Sequence, residues 1–158
     1  MDTMQALISR VSVPPKLLSD PAPRGADLDE IMAAAMSAPD HGNLSPFQFI
    51  TIEGDARAKL GDVFVEALKK RDPSADEAMI EKERNRPMRS PLIVVAVAKI
   101  DEHNEKVPAV EQAVTTGIAA YNMIVAAQAK GYGGILLTGK NAKDLNVKAA
   151  LGIEPTDE

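Results

Sequence analysis

The apolar pattern is longest between Pro108 and Gly139. Pro108 suits the first turn of a helix, where its missing N–H would be unpaired anyway, and the spacing predicts a helix from Ala109 to about Lys130. Val110, Ala113, Val114, Gly117, Ile118, Tyr121, Ile124 and Val125 form one apolar stripe at helical spacing. The opposite side, with Thr115, Thr116, Ala119, Asn122, Met123, Ala126 and Ala127, carries no charge either. Such a helix is expected to be covered on more than one side, within a core or between two subunits. Gly131 is placed to close it, and Gly133 and Gly134 release the chain into Ile135-Leu136-Leu137-Thr138, read as a short strand.

The remaining pattern divides into shorter elements. Thr3 or Asp2 caps a short helix through Ile8, and Asp27 with Glu30 reads as a capping box opening a helix through about Ser37. Phe47–Ile52 is a strand by its β-branched and aromatic content. Asp55 should cap an amphipathic helix bearing Leu60, Val63, Phe64, Ala67 and Leu68, and Ser74 with Glu77 a charged one towards Asn85. Leu92–Ala98 is continuously apolar, as in a central strand covered on both faces, and a last helix capped by Asn141 runs to Leu151.

Composition narrows the function classes. A chain of 158 residues, 45% apolar, fits one domain spanning residues 1–158. With 18 basic and 23 acidic residues it has no general attraction for nucleic acid or acidic membranes, and five aromatics give few platforms for stacking bases. The absence of cysteine excludes disulfides, thiolate catalysis and cysteine-ligated metals; redox chemistry would need a borrowed cofactor. No signal-like apolar core occurs near the N-terminus, and the longest apolar run is far short of a membrane span. A soluble, cytoplasmic protein is expected.

Several motifs are decoys. Gly131-Tyr132-Gly133-Gly134 follows a helix and precedes a strand, the reverse of a dinucleotide fingerprint. Gly134 to Lys140 has P-loop spacing but a strand-like interior, with Asn141 where a magnesium-binding hydroxyl should stand. His41 and His103 lack the spacing of a metal site, and no residue stands out as a catalytic acid, base or nucleophile. The more informative segment is Arg10-Val11-Ser12-Val13-Pro14-Pro15-Lys16, where two prolines hold two cations and a hydroxyl out of helix. That chemistry suits a phosphate, although solvated cations beside a helix end have the same look.

Three segments together resemble the FMN-dependent nitroreductase family, most closely its small NAD(P)H nitroreductases: Leu7-Ile8-Ser9-Arg10-Val11-Ser12, the loop Ala38–Phe49 with Asp40-His41-Gly42-Asn43, and Glu111-Gln112 through Gly139. The resemblance implies an α+β fold, with a mixed, mainly antiparallel sheet flanked by helices in an interlocked homodimer. The order of elements alone would suggest a doubly wound parallel sheet. It also implies that Arg10 and Ser12 hold the FMN phosphate and ribityl end, that His41 reaches the flavin bound mainly by the other subunit, and that Leu136, Leu137 and Thr138 line the ring. Ala126, Ala127, Gln128, Ala129, Lys130 and Gly131 match a stretch linked to the nicotinamide nucleotide. The implied activity passes electrons from NAD(P)H through FMN to a nitroaromatic, a quinone or a similar small-molecule acceptor.

The match has departures. Val11 replaces a usual second arginine, the next cation is Lys16, and Ser37 stands where close relatives place another arginine. A charge-assisted hydrogen bond is worth roughly 1.5–3 kcal/mol, so each lost cation weakens flavin binding about tenfold to a hundredfold. The chain also stops at Glu158, before the final strand and tail of such relatives, which puts the sheet edge and the dimer in question. The alternative function is a non-catalytic FMN-binding carrier or a degenerate interaction domain.

Overall fold

The computed structural model describes residues 2–158. In chain order, α1 (Thr3–Ile8) and α2 (Ala26–Met36) lead to β1 (Phe47–Glu53); α3 (Ala56–Arg71) and α4 (Glu77–Arg84) lead to β2 (Leu92–Ala98); α5 (Ala109–Ala129) and α6 (Leu145–Ala150) follow, with short 3-10 turns between them. β1 and β2 pair antiparallel along their full lengths, from Phe47 opposite Ala98 to Glu53 opposite Leu92. A helical connection between strands therefore does not signal a parallel sheet in this chain, and the doubly wound alternative is excluded for this pair.

Alternation along the two strands sorts their side chains. Phe47, Phe49, Val94 and Ala96 pack against the cluster of Ile31, Ala35, Ala38, Ala119, Ala120 and Met123 supplied by α2, the residues after it, and α5. Phe47 and Phe49 stand two residues apart on that face with ring centroids 5.5 Å apart. Ala35 and Ala119 are wholly buried, and their small side chains let α2 and α5 approach closely. The opposite face turns Ile52 and Val97 inward, and α3 packs against β1. On α3, Gly61 is held to glycine because a Cβ there would collide with the backbone carbonyl of Arg84 on α4.

Several expectations change. β2 is only half-buried from Leu92 to Ala96, with Val97 and Ala98 alone buried. Ile135–Thr138 forms no strand and joins no sheet; the adjoining Gly134 carbonyl is bonded to Val13 instead. Three caps also move. The residue before α2 is Gly25, at φ +52°, and Asp27 is turned to Lys130 and Tyr132. Ser74 bonds Asp72, so α4 starts behind Asp76, which accepts from the Met79 N–H at 2.8 Å. Asn141 lies in a 3-10 turn, and Asp144 caps α6; at Asp55 no side-chain cap forms. In each case a competing polar partner, or a chain direction unsuited to the cap, overrides the local signal.

On α5 the apolar stripe divides: Val110, Val114 and Tyr121 are 67%, 55% and 40% exposed, while Ile118 packs against the core and Ile124 and Val125 are half-buried. The buried side is the one bearing Gln112, Thr115, Thr116, Ala119, Ala120 and Met123. Its small residues fit the close approach of α2, and its polar groups all find backbone partners. Among the described residues no helix is long and apolar enough to cross a membrane.

Candidate functional site

The residues that suit a phosphate lie on a strap laid across the C-terminal end of α5. α1 ends at Ser9, whose hydroxyl donates to the Gln5 carbonyl at 2.6 Å. The Val11 N–H donates to Gln128 Oε1 at 2.9 Å, and Gln128 Nε2 donates to Ser9 Oγ at 3.2 Å. Two residues on, the Val13 N–H donates to the Gly134 carbonyl at 3.0 Å. Arg10 and Ser12 lie within this strap, with Arg10 Nη1 3.4 Å from Ser12 Oγ. Among the described residues neither Arg10 nor Lys16 forms an ion pair. Pro14 and Pro15 turn the chain into the 3-10 turn Pro15–Leu17, which leaves Lys16 exposed.

The strap and the glycine segment meet closely. A Cβ on Gly133 would lie 3.0 Å from Leu18 Cδ2 and 3.1 Å from Val13 Cγ2, so glycine sets the distance between them. The chain beyond presents Leu136 and Leu137, 57% and 58% exposed, and an exposed Thr138. A cation and a hydroxyl thus lie on the strap at the end of α5 where the glycine segment begins, and an exposed apolar strip follows that segment along the chain.

The stretch implied for the nicotinamide nucleotide forms the end of that helix. Ala126 and Ala127 pack on the core, Ala129 is exposed, and Gly131 at φ +91° closes the helix, with the Tyr132 N–H donating to the Ala127 carbonyl at 2.9 Å. Gln128 is committed to the strap. Lys130 reaches Glu30 at 2.6 Å and Asp27 at 2.8 Å, and the Tyr132 hydroxyl donates to Asp27 at 2.6 Å. Those two carboxylates, Asp27 first, hold the Lys130 ammonium above the usual lysine value. The hydrogen bonds from Lys130 and then Tyr132 hold Asp27 below the usual carboxylate range, and the Asp27 bond pushes the Tyr132 phenol up.

His41 and Ser37 lie elsewhere. Ser37 closes α2, with its hydroxyl donating to the Ala34 carbonyl at 2.8 Å. His41 follows in a turn held by Asp40, which accepts the Ser45 N–H at 2.7 Å. Its Nδ1 lies 2.8 Å from Glu111 Oε2 in the first turn of α5, beside a groove of about 280 Å³ lined by Pro39, Val110, Val114, Thr115 and Ile118. From Glu111 to Gln128 the helix advances 17 residues, or about 25 Å at roughly 1.5 Å per residue. Arg10, Ser12 and Gly134 therefore belong to one end of α5 and His41 to the other, with Ser37 nearer the middle, beside the Ala34 carbonyl that Asn122 reaches. Sequence reasoning found these residue types but missed Glu111 as the partner of His41 and Asp27 as the partner of Tyr132, contacts 70 and 105 residues apart that no local spacing announces.

The profile of the Nitroreductase family matches residues 7–158. This chain belongs to the nitroreductase family. It is 39% identical over 158 residues to the Escherichia coli K12 protein named Putative NAD(P)H nitroreductase YdjA, covering 100% of this chain and 84% of that one. A Haemophilus influenzae protein named Putative NAD(P)H nitroreductase is 36% identical over 157 residues, covering 99% and 83%. In fold, the nitroreductase chain resembles a nitroreductase-like family protein from Bacillus cereus, with a TM-score of 0.82 at 19% identity and coverage of 100% and 81%. It also resembles a Bacteroides fragilis nitroreductase solved with bound FMN, with a TM-score of 0.71 at 18% identity and coverage of 100% and 83%. The α+β layout expected of a nitroreductase agrees with the antiparallel β1–β2 pair and its flanking helices.

Proposed function

We propose that this nitroreductase is an FMN-dependent oxidoreductase that takes electrons from NAD(P)H and delivers them to a nitroaromatic, a quinone or a similar small acceptor. The observation that supports the reading is the junction of strap and glycine segment, where Val13, three residues after Arg10, bonds Gly134, two residues before the exposed Leu136 and Leu137. Bound FMN would supply the electron-accepting ring, chemistry for which this chain has no side chain of its own. Arg10 offers planar donors to the phosphate, Ser12 a neutral donor, and Lys16 a more distant charge. Leu136 and Leu137 give the ring an apolar wall, with Thr138 at its end. Val11 contributes only backbone, and its N–H is already bonded to Gln128.

His41 enters this reading from a second copy, because its end of α5 is remote from Arg10, while Ser37 is a cofactor-binding candidate by resemblance alone. The exposed stripe of Val110, Val114 and Tyr121 supports that copy as a homodimer partner. The Ala126–Gly131 stretch is linked to the nicotinamide nucleotide by resemblance alone, and the commitment of Gln128 to the strap takes that residue out of it. A cysteine-free chain suits the reducing cytoplasm. The test is the visible spectrum of the purified protein with added FMN, followed anaerobically by NADH or NADPH and then a quinone or nitroaromatic. Bleaching by a nicotinamide and recovery with the acceptor is expected. Flavin that binds but is never bleached would support the carrier reading, and no bound flavin would overturn the proposal.

A further inference from the structure

We infer that Gln128 is a positioning residue for the flavin phosphate, acting by clamping the strap on both sides of Arg10. The inference rests on the proposed reading of Arg10 as the phosphate contact. Gln128 sits half-buried in the last turn of α5, and both ends of its amide are used: the oxygen takes the Val11 N–H and the nitrogen donates to Ser9 Oγ. The orientation is fixed by chemistry, since the flipped amide would set its NH2 against the Val11 N–H. Ser9 is held in turn, because its hydroxyl proton is committed to the Gln5 carbonyl.

Arg10 is thus the one residue between two anchors, 117 and 119 positions distant from Gln128 in sequence. Among the described residues its own side chain has only the 3.4 Å hydrogen bond to Ser12 Oγ to orient it. Without the clamp, the strap between the end of α1 and the Val13–Gly134 bond has no fixed backbone group, and Arg10 must be ordered when the phosphate arrives. Gln128 is then spent on the cofactor's phosphate end rather than on the nicotinamide nucleotide.

Gln128→Met keeps the length of the side chain and removes both hydrogen bonds. Fluorescence titration should show the dissociation constant of FMN rising about fivefold to tenfold, a size expected for lost neutral hydrogen bonds, while that of riboflavin changes less than about twofold. On the FMN-saturated enzyme, KM for the nicotinamide nucleotide should stay at the wild-type value. Ser9→Ala should weaken FMN in the same direction, and the double variant should lose less than the product of the two single losses, since both act through one clamp. Ser9 is exposed, so this variant preserves the test if Gln128→Met does not fold. Unchanged FMN affinity in the folded variants, equal losses for FMN and riboflavin, or a raised nicotinamide KM with FMN binding intact would overturn the inference. Arg10→Ala separates the two levels of argument. If it spares FMN binding, the phosphate reading and the clamp fall together; if it weakens FMN alone by about tenfold to a hundredfold while Gln128→Met does nothing, only the clamp falls.

Discussion

Whether one flavin is served by two copies can be decided by putting Arg10→Ala in one protomer and His41→Ala in the other. About 25 Å of α5 separates Gln128, which bonds the residues on either side of Arg10, from Glu111, the partner of His41, and the glycine segment leading to the apolar strip starts at the Gln128 end. If each site takes Arg10 from one chain and His41 from its partner, the mixed dimer has one intact site and one that lacks both contacts. If both residues serve the flavin of their own chain, it has two sites, each lacking one contact. Losing Arg10 costs about 1.5–3 kcal/mol and losing a neutral histidine contact about 1 kcal/mol, so the intact and doubly impaired sites should differ in affinity by roughly two to three decades. Neither substitution threatens the fold, because Arg10 makes no ion pair and the His41–Glu111 pair is exposed. Co-expression with two different tags yields the mixed dimer, and FMN titration of it should be biphasic, with half the sites at wild-type affinity. A titration in which no site retains wild-type affinity would refute the shared-site reasoning.

Two other outcomes follow from the packing. Gly133→Ala, which forces Cβ against stiff Val13 and the end of Leu18, should cost about 1–2 kcal/mol in urea denaturation and weaken FMN, whereas Gly134→Ala, with only Ile124 Cγ2 at 4.0 Å, should stay within about 0.5 kcal/mol; equal effects would contradict the close approach. Burial works to raise the Asp144 carboxyl, but hydrogen bonds from Arg71 at 2.5 Å, from Asn146 and from the Val147 N–H outweigh it and hold it below the ordinary 3.8. Its stabilisation is present above that value and lost as pH falls through the lower folded value. Asp144→Asn should therefore cost about 2 kcal/mol at pH 7, less than for a fully buried pair because Arg71 is partly exposed, and the gap should close below about pH 4; a gap independent of pH would refute the assignment.

The long elements were legible because their signals are local. Pro108 and Gly131 bound α5 as expected, and Leu92–Ala98 and Phe47–Glu53 are the strands. What was not legible depends on partners far along the chain. Asp27 and Glu30 have capping-box spacing, yet both face Lys130, at least 100 residues away. Ile135–Thr138 has strand composition, but neither sheet edge pairs with it. Arg10, Ser12 and Leu136 could be named as candidate site residues through the family resemblance, while the bonds that tie the strap to α5 and to the glycine segment, through Gln128 and Gly134, carry no sequence spacing to read.

The orientation of α5 has a physical cause. Hydrophobicity alone would turn Val110, Val114 and Tyr121 inward, but the helix buries the side whose polar groups each meet a fixed partner. Gln112, only 1% exposed, donates to the Asp101 and Val107 carbonyls and accepts the Asp101 N–H. Thr115 donates to the Pro39 carbonyl and Thr116 to the Pro46 carbonyl, at the two ends of the His41 loop; Asn122 donates to Ala34 in α2, and Gln128 holds the strap. Turning the apolar stripe inward would bury it at the expense of these bonds, and each polar group left buried without a partner costs about 1–3 kcal/mol. The same bonds hold the His41 loop and the strap that carries Arg10. α5 is thus oriented by the loops it must hold, and the stripe left outside is the surface available to a second copy.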